Sequence, residues 1–208
     1  MPNPLHSPWS KLIPLIPVSD HKERVDSAFW APHFACYGLT GYHVAVFGGN
    51  KSVDISRTRL MSHTYSDLVQ KCLEIFLWGY PKGGRANMSA MFLKNIGEIA
   101  KYAPATLPWN DYYNNLHSVG NLGISTISKL AYFYKHQFGG CQSLILDSRL
   151  INVLAEGRWS GLHMPKLTYN KAAVQYPSYL SLLAGVANQL GCTADHIDFL
   201  LFAWGESF

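Results

Sequence analysis

Charge is scarce in this chain. Asp, Glu, Lys and Arg together make up 14% of its 208 residues. A disordered, self-repelling chain needs far more, so that class is excluded. Long apolar runs are also missing. None reaches the roughly 18 residues that span a bilayer, so no membrane-spanning helix is expected. The leading stretch MPNPLHSPWSKLIPLIPVSD is interrupted by five prolines. It lacks the continuous apolar core of a secretory signal. The four cysteines, Cys36, Cys72, Cys141 and Cys192, form no CxxC or other short metal spacing. The nine histidines show no HxxxH or HxxE spacing, so a helical metal enzyme finds no support. No metal and no cofactor is expected. There is no internal repeat and no low-complexity segment. What remains is a cytoplasmic protein with free thiols, Cys72 among them as a small core residue.

The apolar share is 48% and the aromatic share 13%, enough for a buried core. The length suits one ordinary domain, or two small lobes sharing a groove. The formal net charge of +4 sits on a sparsely charged surface, so a local basic patch has little to cancel it. A pI of 8.8 permits an anionic partner such as nucleic acid without requiring one.

Residues 1–20 read as an irregular arm. HKERVDSAFWAPHFACYGL reads as a helix entering a loop. YHVAVFGGNKSVDIS alternates weakly around Gly48-Gly49-Asn50, which predicts a short hairpin. From Ser66 the pattern becomes helical. SDLVQKCLEIFLW puts Leu68, Val69, Cys72, Ile75 and Phe76 on one face, with Ser66 as its N-cap. Further helices are predicted in MSAMFLKNIGEIAKY, in PWNDYYNNLHSV, in TISKLAYFYKHQF ended by Gly139-Gly140, and in SRLINVLAE. YPSYLSLLAGVANQLG and TADHIDFLLFAWG follow, the second capped by Thr193. The expectation is a mainly α fold. Residues 1–65 form an arm and mixed segment with a short irregular or small β element, and residues 66–208 a helical core of seven helices.

Two short stretches carry the chemistry. In GNLGIST, Asn121 and Gly123 precede a helix starting near Ser125. Gly123 adopts positive φ freely, and Asn121 tolerates it best among the other residues. Such a turn aims backbone N–H groups the same way as the helix N-terminus, making a nest for an anion such as a phosphate. The alternative is an ordinary corner between two helices. In LILDSRL, Asp147 follows three apolar residues and opens a helix. It reads as an N-cap, and a carboxylate fixed there also stays ionised and rigidly placed.

Turn, helix, loop and an apolar-apolar-Asp helix start resemble the helix-hairpin-helix base-excision DNA glycosylases. NLGIST is similar to their Gly-Val-Gly-x-(Lys/Ser)-Thr turn, and LILD to the run before their catalytic Asp. With WGYPKGG upstream and IDFLLFAW at the end, residues 60–205 look most like small bacterial proteins of the 8-oxoguanine DNA glycosylase fold. The resemblance implies an all-α core of two lobes with DNA across their junction. It implies Asp147 as the catalytic carboxylate. Bifunctional members carry a lysine nucleophile where this chain has Ser125, so the resemblance favours base excision by water, with lyase activity open. Lys129, one helical turn later, either reaches the site from below or is a solvated surface lysine.

Breaking an N-glycosidic bond develops positive charge on the deoxyribose, which a nearby carboxylate stabilises. The base must first leave the stack, so an aromatic pocket is needed. Trp78, Tyr112 and Phe202 are candidates for it, alongside core packing as their alternative. By resemblance, Asp198 and Phe202 on the last helix face the flipped base. A carboxylate at Asp198 would accept from an exocyclic amine, or else stand on the solvated side of its helix. Lys82 and Arg85 in YPKGGR are candidate phosphate contacts, as are Arg57 and Arg59 in SRTR. Arg149 either holds a phosphate or pairs with Asp147. The expected partner is double-stranded DNA containing a damaged or modified base, bound by a monomer, in repair or in defence against modified phage DNA. The second reading is a helix-hairpin-helix DNA-binding module without catalysis.

Overall fold

The computed structural model describes residues 8–84, 87–155 and 167–204. Three 3₁₀ turns, Pro8–Lys11, Ile13–Leu15 and Val18–Asp20, lead into β1 (Lys22–Asp26). The Asp26 carboxylate then caps α1 (Ser27–Cys36), accepting the Phe29 N–H at 3.0 Å. After α2 (Thr40–Phe47), β2 (Ser52–Ser56) returns antiparallel along β1, from Lys22 opposite Ser56 to Asp26 opposite Ser52. The predicted hairpin at Gly48–Asn50 is replaced by a helix end. Gly48, at φ +55°, is the left-handed C-cap of α2. A short run such as YHVAVF suits either period, and here Val46 and Phe47 bury together on a helix. The HKERVD stretch expected as helix is instead β1, because its partner strand lies thirty residues away.

Ser56 caps α3 (Arg57–Ser62), and Asp67 rather than Ser66 caps α4 (Leu68–Gly79). The Asp67 carboxylate takes the Val69 N–H at 2.7 Å, a charge-assisted cap. Next come α5 (Met88–Lys94), α6 (Ile96–Tyr102), α7 (Trp109–Gly120) and α8 (Ile124–Phe133). A two-residue-per-strand hairpin, β3 (Gln137–Phe138) and β4 (Cys141–Gln142), follows. Gly139 and Gly140, at φ +59° and +78°, form its turn rather than ending α8, as two successive left-handed residues favour. The chain closes with α9 (Ser148–Ala155), α10 (Tyr169–Leu190) and α11 (Ala194–Trp204). Eight α-helices thus follow Ser66 among the described residues, where seven are expected. The mainly α class with a small β element near the N-terminus matches the sequence expectation.

α4 is the central helix, with every residue from Cys72 to Trp78 buried. It packs against α6, α8 and both long strands, and only its ends reach solvent. The buried core runs without a break from Ile13 to Leu201. Glu74 is one of the ionisable side chains buried with it. The Glu74 carboxylate accepts from Arg59 Nε and Nη2 at 2.8 and 2.9 Å, from Tyr65 Oη at 2.8 Å and from Gln70 Nε2 at 3.1 Å. Arg59 is therefore a structural partner of α4 and not a phosphate contact. Arg59→Met should destabilise the fold by about 3 kcal/mol, because it strands a buried carboxylate. Chemical denaturation of the two proteins measures this.

Candidate active site

The corner between α7 and α8 places the first group of candidates. Asn121 holds the left-handed conformation at φ +50° and ends α7. Gly123 is extended at φ −82°, so the positive φ expected of it falls on Asn121 alone. Nothing lies within 4 Å of where a Gly123 Cβ would stand. Neither backbone conformation nor packing within the chain requires glycine there. What its lack of a side chain does is clear the exposed approach to the α8 N-terminus, which no side chain caps. A backbone or phosphate can come close to those N–H groups. Lys82 is exposed in the turn after α4. Arg85 lies outside the described residues.

Lys129 is buried, at 5% exposure, which excludes a solvated surface position. Its Nζ donates to Ser125 Oγ at 2.8 Å and to the Ser125 carbonyl at 3.3 Å, and lies 5.1 Å from the Tyr80 ring centre. Tyr80 Oη in turn donates to Ser125 Oγ at 3.1 Å. Gly79 makes the passage. A Cβ on Gly79 would stand 2.7 Å from Lys129 Cδ. A helical glycine costs about 1 kcal/mol relative to alanine, and here it lets the lysine stem run across the end of α4.

Asp147 is placed by the chain on both sides of it. Leu144, Ile145 and Leu146 are buried outside any helix or strand, and side chains satisfy the Leu144 and Leu146 backbone. Ser128 Oγ accepts the Leu146 N–H at 3.0 Å. Tyr176 Oη accepts the Leu144 N–H at 3.1 Å and donates to the Leu144 carbonyl at 2.5 Å. Asp147 Oδ1 then caps α9, accepting the N–H groups of Arg149 and Leu150 at 3.0 and 3.1 Å. The cap reading holds, and it fixes the carboxylate.

Lys129 and Asp147 line one cavity of about 50 Å³, together with Trp78, Gly79, Asp198 and Phe202. That volume holds a few waters at most. Glu23, Arg57, Ile145 and Leu150 complete its wall. Ser125 is not among these; with Ser148, Tyr80 and Tyr169 it lines a second cavity of about 270 Å³. Tyr112 belongs to neither. It is fully buried in the core and its hydroxyl donates to the Ala103 carbonyl at 3.1 Å, so its assignment to a base pocket is corrected. Arg149 reaches over the Phe202 ring, 5.3 Å from its centre.

Glu23 and Arg57 are cavity residues that sequence patterns did not indicate. Glu23 sits on β1 and accepts from His21 Nε2 at 3.2 Å. Arg57 is buried, not a solvated or phosphate-binding arginine. Its Nη1 donates to Asp195 Oδ1 at 2.9 Å and Tyr132 Oη at 3.3 Å, and its guanidinium lies 5.2–5.5 Å from the ring centres of Trp78, Tyr132 and Phe199. Strand pairing and a contact across 138 residues create these positions.

Asp198 is 0% exposed, which rules out the solvated helix face. Tyr179 Oη donates to its Oδ1, while Oδ2 has no partner among the described residues. The same holds for Trp78 Nε1 beside the cavity. Burial pushes the Asp198 carboxyl well above the usual carboxylate range. A raised folded-state value favours folding below the unfolded-state value near 4 and loses that advantage as pH rises toward the folded-state value. Asp198→Asn should therefore raise Tm by several degrees at pH 7. The gain should shrink toward zero below about pH 4, where the unfolded aspartate is also protonated. Thermal unfolding at both pH values tests the sign.

Among the described residues no group of three or more His, Cys, Asp or Glu side chains could hold a metal, and no helix is long and apolar enough to cross a membrane. The four cysteines are free. Burial pushes the Cys72 thiol up to about 12. Residues 16–202 match the family model described as "Putative 8-oxoguanine DNA glycosylase OGG-like protein". No curated protein and no solved structure matches the chain.

Proposed function

The chain belongs to the 8-oxoguanine DNA glycosylase OGG-like family, and from that premise we propose that it cleaves the N-glycosidic bond of a damaged or modified base flipped from double-stranded DNA. The observation that carries the reading is one aromatic-walled cavity lined by both a rigidly placed carboxylate, Asp147, and a buried amine, Lys129. A DNA-binding module without chemistry has no use for that pair. A lysine is almost never buried unless it is paired, and the ion pairs among the described residues involve other side chains.

In this reading the duplex meets the protein at the α8 N-terminus and at Lys82. The outward N–H groups and the cleared surface at Gly123 take a phosphate of the DNA backbone, as a helix-hairpin-helix turn does. The extruded base enters between Trp78 and Phe202, and Phe202 with Arg149 above it must shift to admit it. As the bond from C1′ to the base nitrogen breaks, the base leaves with the electron pair and the sugar becomes cationic. Asp147 lies against that charge and is already fixed by its helix cap, so it need not reorganise. Asp147→Asn keeps the cap geometry but removes the charge. Base release should fall by roughly 10²-fold or more, with DNA affinity nearly unchanged. Wild-type release by the Asn variant on a duplex the enzyme does cleave would remove Asp147 from the mechanism.

Two nucleophiles are available. Water oriented by Asp147 is the route that Ser125 favours by resemblance. The burial of Lys129 in the same cavity favours the second, covalent route. There the amine forms a bond to C1′ as the base departs with the electron pair of its bond. The nitrogen loses a proton, its lone pair then forms C=N as the C1′–O4′ bond breaks and O4′ takes a proton, and borohydride reduces the resulting imine. Trapping on an abasic-site duplex tests this without knowledge of the natural base. The covalent route gives a stable adduct on the peptide containing Lys129. The adduct should disappear in Lys129→Met and weaken in Gly79→Ala, whose new methyl displaces the stem while favouring the helix. A wild-type protein that yields no adduct uses water.

A further inference from the structure

The chemistry above leaves Asp198 without a task, although it lines the same cavity as Asp147 and Lys129. Its burial is complete. One carboxyl oxygen is taken by the Tyr179 hydroxyl and the other has no partner among the described residues. An ionised carboxylate in that position would carry a desolvated, half-satisfied charge, which is far more costly than a neutral acid. Of the two buried basic residues on this wall, Arg57 is directed through Nη1 to Asp195 and Tyr132, and Lys129 through Nζ to Ser125. The charged and titratable groups around Asp198 are Arg57 on α3, Tyr179 on α10, Asp195 on its own helix and Asp147 at the head of α9, with Lys129 and Glu23 on the same cavity. Burial dominates, and the carboxylates of Asp195 and Asp147 act with it against a second negative charge. Because Tyr179 donates to Oδ1, the acid proton belongs on Oδ2.

Resting on the excision reading, we propose that Asp198 reads the flipped base as an uncharged acid, donating a hydrogen bond from Oδ2 to a ring nitrogen or carbonyl oxygen of the base edge. Trp78 Nε1–H, buried beside the same cavity and without a hydrogen-bond partner among the described residues, is the second donor. This reverses the acceptor role that a charged aspartate would have. The base presents acceptors to this wall. The N3 and O2 edge of a modified cytosine fits, as do the carbonyl oxygens of an oxidised base. The N1–H and N2–H₂ edge of guanine, which offers only donors, does not.

The side-chain amide of asparagine imitates the neutral acid. It offers an N–H where the acid offers its O–H, and its oxygen still accepts from Tyr179. The test uses the full chain and duplexes carrying 5-hydroxymethylcytosine, 8-oxoguanine, uracil or hypoxanthine, with released base measured by mass spectrometry. On the substrate found, Asp198→Asn should keep kcat/KM within about threefold, while Asp198→Leu and Trp78→Phe should each lower it by roughly tenfold or more. Affinity for a duplex with an unreactive tetrahydrofuran site should stay unchanged in all three, which a purely structural role would not give. The wild type should also lose rate at alkaline pH along a limb absent from Asp198→Asn. An Asn variant as inactive as the Leu variant would show an ionised acceptor and overturn the proposal while excision stands. Variants that all match the wild type would place Asp198 outside recognition and overturn it too. Release of no base from any duplex, together with no abasic-site adduct, would overturn the excision reading and the proposal with it.

Discussion

One buried guanidinium holds the first and last parts of this molecule together. Arg57 begins α3, yet its partners are Tyr132 on α8 and Asp195 on α11. The rings of Trp78, Tyr132 and Phe199 surround it. A cation out of water must be paired and hydrogen-bonded, and its partners are then fixed in turn. The cavity wall follows from that constraint. Arg57 ties α3 to α8 and α11 beside Lys129 and Asp198, and the rings of Phe199 and Phe202 on α11 add to this by packing on His21.

The candidate chemistry is built at the ends of elements. Asp147 heads α9, the Lys129 stem crosses the end of α4, and Gly123 opens α8. Helix ends have unpaired N–H groups, and side chains there are held by caps rather than by packing alone. Glycine acts in two different ways. At Gly79 it makes room inside the protein for a lysine, and at Gly123 it keeps the outside clear for an approaching backbone.

Three carboxyl groups border the cavity and their surroundings separate them. Asp147 accepts two backbone N–H bonds at a helix start. Glu23 is partly exposed beside His21. Asp198 is enclosed with one hydroxyl donor, which suits an acid. The same functional group can thereby stabilise a cation at one wall and donate a hydrogen bond at another.

The linear order of residues determined what depends on neighbours along the chain. The helical content after Ser66, the aspartate heading α9, the left-handed Asn121 and the pairing of Ser125 with Lys129 one turn on all follow from local periodicity and capping. Boundaries failed where two local solutions compete. Asp67, adjacent to Ser66 and an equally good cap, took the cap position, and Gly139-Gly140 turned a hairpin rather than ending a helix. Tertiary structure alone decided which polar side chains lost water. Lys129, Arg57 and Asp198 have ordinary surroundings in the sequence, and Glu23 reaches the cavity only through pairing with a strand thirty residues away. Tyr112 has the composition of a pocket residue and went to the core. Burial is a sum over distant segments, so no local pattern encodes it, and burial is what separates a solvated charge from a catalytic or recognition group.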